Sequence, residues 1–243
     1  MDPSLYLVAT PIGNLEDITY RAVRTLGEVT LIACEDTRQT RKLLEHYNIG
    51  TPMVSYHEHN EKERSADLVA RILAGQSIAL VSDAGTPLIS DPGFRLVSRA
   101  IAAGVPVIPI PGPSAALSAL AASGLAVDAF RFGGFLPPKS GQRRRELERW
   151  SASTDTLIYY EAPHRLCETL ADIVAVMGPA RPVTVAREIT KRHEEFLRGA
   201  CAEVLADLSA RDAVKGEITL LIGRGPASPE KPIPIPCGGP LRP

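Results

Sequence analysis

The chain is poor in the residues that build redox frameworks and stacking surfaces. Four cysteines, at positions 34, 167, 201 and 237, are spread over 243 residues, and no two are spaced as C-x-x-C. A disulfide framework or a cysteine-based zinc site is therefore not expected. Aromatic residues make up 5% of the chain, with Trp150 the single tryptophan, too few for an extended base-stacking platform. No G-x-G-x-x-G is present and no lysine follows a Gly-rich loop, which disfavours dinucleotides and nucleoside triphosphates bound through those motifs. Apolar runs such as Ile101–Pro111 are interrupted by Gly and Pro and are too short to span a bilayer. The opening Met1-Asp-Pro-Ser4 leads into a short strand-like run with no basic segment and long apolar core, so a cytoplasmic location is expected. The net charge is −1, from 27 basic and 28 acidic side chains. Any contact with a polyanion must then come from a local patch.

What the chain does have is alternation. Leu5–Ala9, Val29–Cys34, Ser77–Ser82 and Pro106–Pro109 read as buried strands, and Tyr20–Leu26, Thr40–Tyr47, Lys62–Ala74 and Phe94–Ala103 as helices between them. That order predicts a mostly parallel α/β sheet covered on both faces. After Leu125 the character changes. Strands are expected at Phe130–Phe135, Thr156–Tyr160, Val183–Ala186, Glu194–Arg198 and Ile218–Ile222, and helices at Arg143–Trp150, Arg165–Val176 and Ala202–Leu208. The second half therefore reads as a mixed α+β sheet, with domains at 1–126 and 127–225. Seven of the last eighteen residues are proline, and 226–243 reads as a disordered tail.

Ligands of open parallel sheets sit beyond the carboxyl ends of the strands, and three loops there carry unusual residues. Asp83-Ala-Gly-Thr-Pro-Leu-Ile-Ser-Asp-Pro-Gly93 combines small residues, which let a ligand approach the backbone, with two carboxylates. Its Ser90-Asp-Pro92 resembles a helix start, with free N–H groups suited to a carboxylate. Pro111-Gly-Pro-Ser-Ala115 repeats the logic, Ser114 offering a hydroxyl at the positive end of a helix. Thr10-Pro-Ile-Gly-Asn-Leu-Glu-Asp-Ile-Thr19 adds a third glycine turn. His57-Glu-His59 has a spacing more often incidental than metal-binding, and no metal is expected.

These loops belong to an ordered series. Val8–Thr19, Glu35-Asp-Thr-Arg-Gln-Thr40, Ser82–Gly93, Pro111–Ser114, Gly134-Phe-Leu-Pro137, Tyr160-Glu-Ala-Pro-His-Arg165, Ala186-Arg-Glu-Ile-Thr-Lys191 and Gly216-Glu217 together resemble the ribosomal RNA small-subunit methyltransferase I family. The resemblance covers residues 5 to about 223. It implies a two-domain tetrapyrrole-methylase-like fold in a homodimer, with S-adenosyl-L-methionine held between the domains. It also implies 2′-O-methylation of a cytidine in 16S ribosomal RNA within the small ribosomal subunit. Carried over by motif, Pro11, Asp83, Ala84, Gly85, Thr86, Ile89, Ser114 and Ala115 would line the cofactor site from the first domain. Tyr160, Glu161, Ala186 and Glu217 would line it from the second. Small-molecule relatives carry Gly-Asp-Pro where this chain has Gly85-Thr-Pro87, and a Gly-rich first loop where it has Thr10–Gly13. Those departures disfavour the alternative of a tetrapyrrole C-methyltransferase; a non-catalytic cofactor-binding module is the other alternative.

A ribose hydroxyl is a poor nucleophile, so a base or a cation near its oxygen is expected. Glu188 and Lys191, three residues apart and facing one way if that stretch is helical, are the catalytic candidates. Lys139, Arg143, Arg144, Arg145 and Arg149 form a basic cluster suited to phosphate contacts. Arg38 and Arg187 are further candidates for RNA.

Overall fold

The computed structural model describes residues 1–225. The expected tail at 226–243 and Cys237 lie outside them.

The first half alternates strands and helices in chain order. These are β1 (Leu5–Val8), α1 (Tyr20–Glu28), β2 (Leu31–Cys34), α2 (Thr37–His46), β3 (Met53–Ser55), α3 (Glu61–Leu73), β4 (Ile78–Val81), α4 (Phe94–Ala102) and β5 (Val107–Ile110). Side-chain oxygens set two of the helix starts: Thr19 accepts from the Ala22 N–H, and Asp36 from the Arg38 N–H. All strand pairs are parallel, in the order β3-β2-β4-β1-β5. Period-two alternation divides their apolar side chains between two faces. Leu5, Ile78 and Leu80 pack against Leu68 and Ile72 of α3 and Leu96 of α4. Tyr6, Val8, Ile32 and Val81 pack against Leu26 of α1 and Leu44 of α2.

The second half contains α5 (Ala115–Ser123), β6 (Phe130–Phe135), α6 (Ser140–Trp150), β7 (Thr156–Glu161), α7 (Leu166–Met177), β8 (Pro182–Arg187), β9 (Glu195–Ala200), α8 (Cys201–Ser209) and β10 (Ile218–Ile222). Its sheet runs β6-β7-β10-β8-β9; β6 is parallel to β7 and the remaining pairs are antiparallel. One face packs on α6, α7 and α8 through Leu147, Leu170, Ile173 and Val204. The other face, through Ile158, Ala186 and Leu221, packs on Ala116, Ala119 and Leu120 of α5. Helix α5 precedes the expected boundary at 126/127, yet its apolar side is buried on the second sheet. Hydrophobic contact, not chain order, decides where this helix sits.

Two expectations about local structure need correction. Helix α4 starts at Phe94, behind Gly93 at φ 143°, without a side-chain cap, so Ser90-Asp-Pro92 is not a helix start. Leu88 and Ser90 instead adopt positive φ of 74° and 68°, which no helix entry contains. The basic cluster on α6 is also largely spent on structure. Arg143 is only 1% exposed, and its Nε donates to Asp172 Oδ2 at 2.6 Å. Arg144 Nε donates to the other oxygen of Asp172 at 2.6 Å, and Ser140 Oγ to that same oxygen at 3.0 Å. Arg143 is thus removed from the surface patch, because the buried Asp172 of α7 needs a cation. Lys139, Arg145 and Arg149 remain exposed.

Burial alone would raise the Asp172 carboxyl, but hydrogen bonds from Arg144, Arg143 and Ser140 outweigh it and hold the group below its ordinary value. A depressed carboxyl contributes stability above its unfolded value near pH 4 and loses it as pH falls further. Asp172→Ala strands Arg143 without its buried partner and should cost about 3–5 kcal/mol. Thermal melts between pH 7 and pH 3 should show the wild type approaching the variant as acid is added. Parallel melting curves at every pH would show that this pair does not couple folding to protonation.

Candidate active site at the junction of the two sheets

The loops following β1, β4 and β5 are tied together by hydrogen bonds rather than merely lying near one another. Thr10 and Gly85 exchange backbone hydrogen bonds, Thr10 N–H to Gly85 O and Gly85 N–H to Thr10 O, each at 2.9 Å. Gly85 does this at φ 77°, a conformation that side chains disfavour. Thr10 Oγ1 donates to Ser82 O at 3.2 Å, and Thr86 Oγ1 donates to Pro113 O at 3.2 Å. Ser114 then caps α5 by accepting from the Leu117 N–H.

Beside these loops is a cavity of about 390 Å³, within the size range of small-molecule sites. From the first half, the candidates Ala84, Gly85, Thr86, Ile89, Ser114 and Ala115 line it, and so do Ile12 and Asp91. From the second half, Tyr160, Glu161 and Glu217 line it, together with Phe135, Pro163 and Ile189. Three expected residues do not. Pro11 yields to its neighbour Ile12. Asp83 turns to the Asp36 N–H, which donates to its Oδ1 at 3.0 Å. Ala186 is fully buried in the packing against α5, because strand alternation points it there.

The carboxylates of the site are not equivalent. Glu161 accepts from the Ala162 N–H, the Arg165 guanidinium at 2.6 Å and Thr169 Oγ1 at 2.7 Å. Its carboxylate is therefore committed to holding the end of β7. Burial pushes the Asp91 carboxyl up; a Ser82 hydrogen bond opposes this and the Asp83 charge adds to it. Glu35 is raised by burial first and then by the charges of Asp83, Asp91, Glu58 and Asp36. The strand ends β2 and β4 thus form an acidic rim.

Glu188 and Lys191 do not lie on a helix. Residues after β8 make a tight turn, with Glu188 at φ 52°, Thr190 at φ 67° and Lys191 N–H donating to Glu188 O at 3.0 Å. The turn still brings the pair together: Lys191 Nζ lies 3.0 Å from Glu188 Oε1 and 3.0 Å from Glu217 Oε2. Lys191 is therefore one ion pair away from the cavity wall. Its aliphatic chain crosses Gly13, where a Cβ would come within 2.4 Å of Lys191 Cγ. A first-half glycine thus makes room for a second-half lysine. The Glu217 N–H holds the Glu188 carboxyl below its ordinary value against the effect of burial, and Lys191 adds to this. Burial opposes the Lys191 charge, yet hydrogen bonds to Glu217 and Glu188 prevail and raise it. Elsewhere, Arg187 is held by Glu195 at 3.0 Å, and the exposed Arg38 by Asp36 at 2.7 Å.

Ile12, Phe135, Pro163, Gly216, Ile218 and Thr219 were not singled out as lining residues by the sequence. The Ile12, Phe135, Pro163 and Gly216 positions fall inside recognisable motifs, so a signal existed for them. Ile218 and Thr219 reach the cavity through the strand pairing of β10.

Residues 4–205 match the family model described as Tetrapyrrole (Corrin/Porphyrin) Methylases, and the chain belongs to that family. Within it, the chain is 51% identical to the ribosomal RNA small subunit methyltransferase I of Mesorhizobium japonicum, covering 97% of this chain and 80% of that protein. It is 54% identical to the protein of the same name from Halalkalibacterium halodurans, covering 90% and 75%. The fold is also that of a uroporphyrin-III C-methyl transferase from Thermus thermophilus solved with S-adenyl homocysteine. That likeness has a TM-score of 0.61 at 20% identity, over 90% of this chain and 96% of the other.

The crossing of Lys191 over Gly13 makes a measurable claim. In Gly13→Val the lysine must leave its place between two carboxylates. Its titration, followed by NMR of isotope-labelled lysine, should drop back toward the ordinary lysine value. An unchanged titration would mean that the ion pairs do not depend on this contact.

Proposed function

We propose that this protein transfers the methyl group of S-adenosyl-L-methionine to the 2′-oxygen of a cytidine in 16S ribosomal RNA, within the small ribosomal subunit. The observation that carries this reading is the cavity at the strand ends, walled by small residues and bounded on one side by Glu217, which pairs with Lys191. Membership of a family whose close relatives bear the name ribosomal RNA small subunit methyltransferase I supports it. The residues present suit the cofactor. Ala84, Gly85 and Ala115 leave the backbone approachable, and Ile12, Ile89 and Ile189 offer apolar walls to a flat base. Asp91 and Glu217 offer acceptors for hydroxyl and ammonium groups. When bound, the cofactor supplies an electrophilic methyl on a positively charged sulfur.

The chain's own work is then placement and charge. Aligning a ribose oxygen with the methyl contributes much of the acceleration by proximity. We assign Lys191 to stabilising the negative charge that grows on that oxygen as its proton passes to solvent water. Glu188, whose carboxyl already accepts from Lys191 and the Glu217 N–H, is a weak base and serves to position the lysine. Lys139, Arg145 and Arg149 are exposed cations available to phosphate, whereas the exposed Arg38 would have to give up Asp36 to reach one. The same reading includes a cytoplasmic homodimer, for which exposed Leu117, Val127 and Phe130 offer apolar surface.

Methyl-labelled cofactor offered with small ribosomal subunits should yield labelled 2′-O-methylcytidine after nuclease digestion. Label on uroporphyrinogen, or on a base rather than a ribose, would overturn the reading. Gly85→Val would place a branched side chain at a left-handed position facing the cavity. Calorimetric titration with S-adenosylhomocysteine should show binding weakened at least roughly tenfold in a folded variant. Lys191→Met should lower kcat about 10²–10³-fold with little change in cofactor affinity. A variant of near-normal kcat would remove the lysine from the chemistry.

A further inference from the structure

A second hollow, about 380 Å³ in volume, lies between α3 and α4 and is lined by Lys62, Ser65, Phe94, Arg95, Ser98 and Arg99. It contains three cations and no carboxylate. Arg95 is already paired, its Nε 2.5 Å from Glu61 Oε1. Lys62 and Arg99 are exposed and form no ion pair among the described residues. Phe94 is 75% exposed, an unusual position for a phenylalanine at the start of a helix.

The location matters as much as the charge. In a parallel sheet the helices that follow β3 and β4 begin at the strands' carboxyl ends. Lys62, Phe94 and Arg95, in the first turns of α3 and α4, therefore stand at the edge where the cavity opens. Only Pro92 and Gly93 separate Phe94 from Asp91, which lines the cavity. The neighbouring strand ends carry Glu35, Asp36, Glu58 and Asp83, which repel phosphate. On this side the α3–α4 groove presents cations to a polyanion and the rim beside it presents carboxylates. The basic cluster on α6 offers less than its composition promised, since Arg143 and Arg144 are tied to Asp172.

We propose that the α3–α4 groove is a contact for the RNA substrate, with Lys62 and Arg99 on consecutive phosphates and Phe94 stacked on an unpaired base. It rests on the ribosomal RNA reading above and adds to it a place where the strand flanking the target nucleotide is held. Phosphate contacts give affinity with a salt dependence that counts them, and an exposed aromatic gives stacking without base choice.

The test uses the full chain and purified small ribosomal subunits, with binding measured across salt concentrations. In Lys62→Gln/Arg99→Gln the log–log slope of affinity against salt should fall by roughly 1.4–1.8, about 0.7–0.9 per lost contact. Phe94→Ala should weaken binding roughly tenfold at fixed salt with the slope unchanged. S-adenosylhomocysteine affinity should stay constant in both, and the methylation defect should appear in KM and not in kcat. Arg21→Gln/Arg24→Gln on α1, which packs on the opposite face of the sheet, removes the same charge and should leave the slope nearly unaltered. An unchanged slope in the groove variant, with wild type binding subunits normally, overturns the groove while leaving the methyltransferase reading intact. A groove variant whose slope is unchanged but whose oligomeric state shifts in sedimentation would mark an interface between copies instead, and would equally overturn it. Wild type that neither binds nor methylates subunits overturns both.

Discussion

Two hydrogen bonds between Thr10 and Gly85 hold the functional end of this molecule in shape. They join the loop after β1 to the loop after β4, strands that are already neighbours in the sheet, and the Thr86–Pro113 bond extends the tie to the loop after β5. Loops ordinarily carry the mobility of a protein. Here three of them behave as one surface because each supplies a backbone partner to the next. Gly85 is needed at that junction for its left-handed backbone, and the lack of a side chain leaves the cavity open at the same spot.

The second constraint is electrostatic and crosses from one half to the other. Lys191 sits between Glu188 and Glu217 and lies over Gly13, so a cation on the second sheet is located by a glycine of the first. This arrangement places a positive group beside the cavity without burying it unpaired, which would be costly. It also separates duties: one carboxylate orients the lysine, while the other faces the cavity. The acidic groups at the ends of β2 and β4 reach the same cavity through Asp91.

Much of this is legible in the amino-acid sequence. The β10 strand has the bounds its apolar run suggested, because Ile218–Ile222 is bracketed by polar and glycine residues. The three loops stood out because small residues and prolines recur after three apolar strands, at the end of the sheet where ligands bind. What was not legible has physical reasons. Strand β3 has three residues, too few to show a period. Helix α5 is Ala-rich with no polar stripe, since it is covered by the second sheet on one side and by the cavity loops at its start. The basic run on α6 could not be sorted into buried and exposed charge without knowing that Asp172 sits beneath it. The α3–α4 groove was invisible for a related reason: its residues are thirty positions apart and ordinary one at a time.

One feature of the second sheet bears on how the molecule is made. Strand β10 lies between β7 and β8, at the centre of the sheet, yet it is the last strand in the described chain. While the ribosome is still extending the chain, β6 can pair with β7 and β8 with β9, leaving two half-sheets with open inner edges. Helix α5, long since synthesised, has to wait for Leu221 before its apolar side is fully covered. Ile218 and Thr219 also complete the cavity wall. A nascent chain ending before them lacks part of that wall, and any chain released early exposes unpaired strand edges.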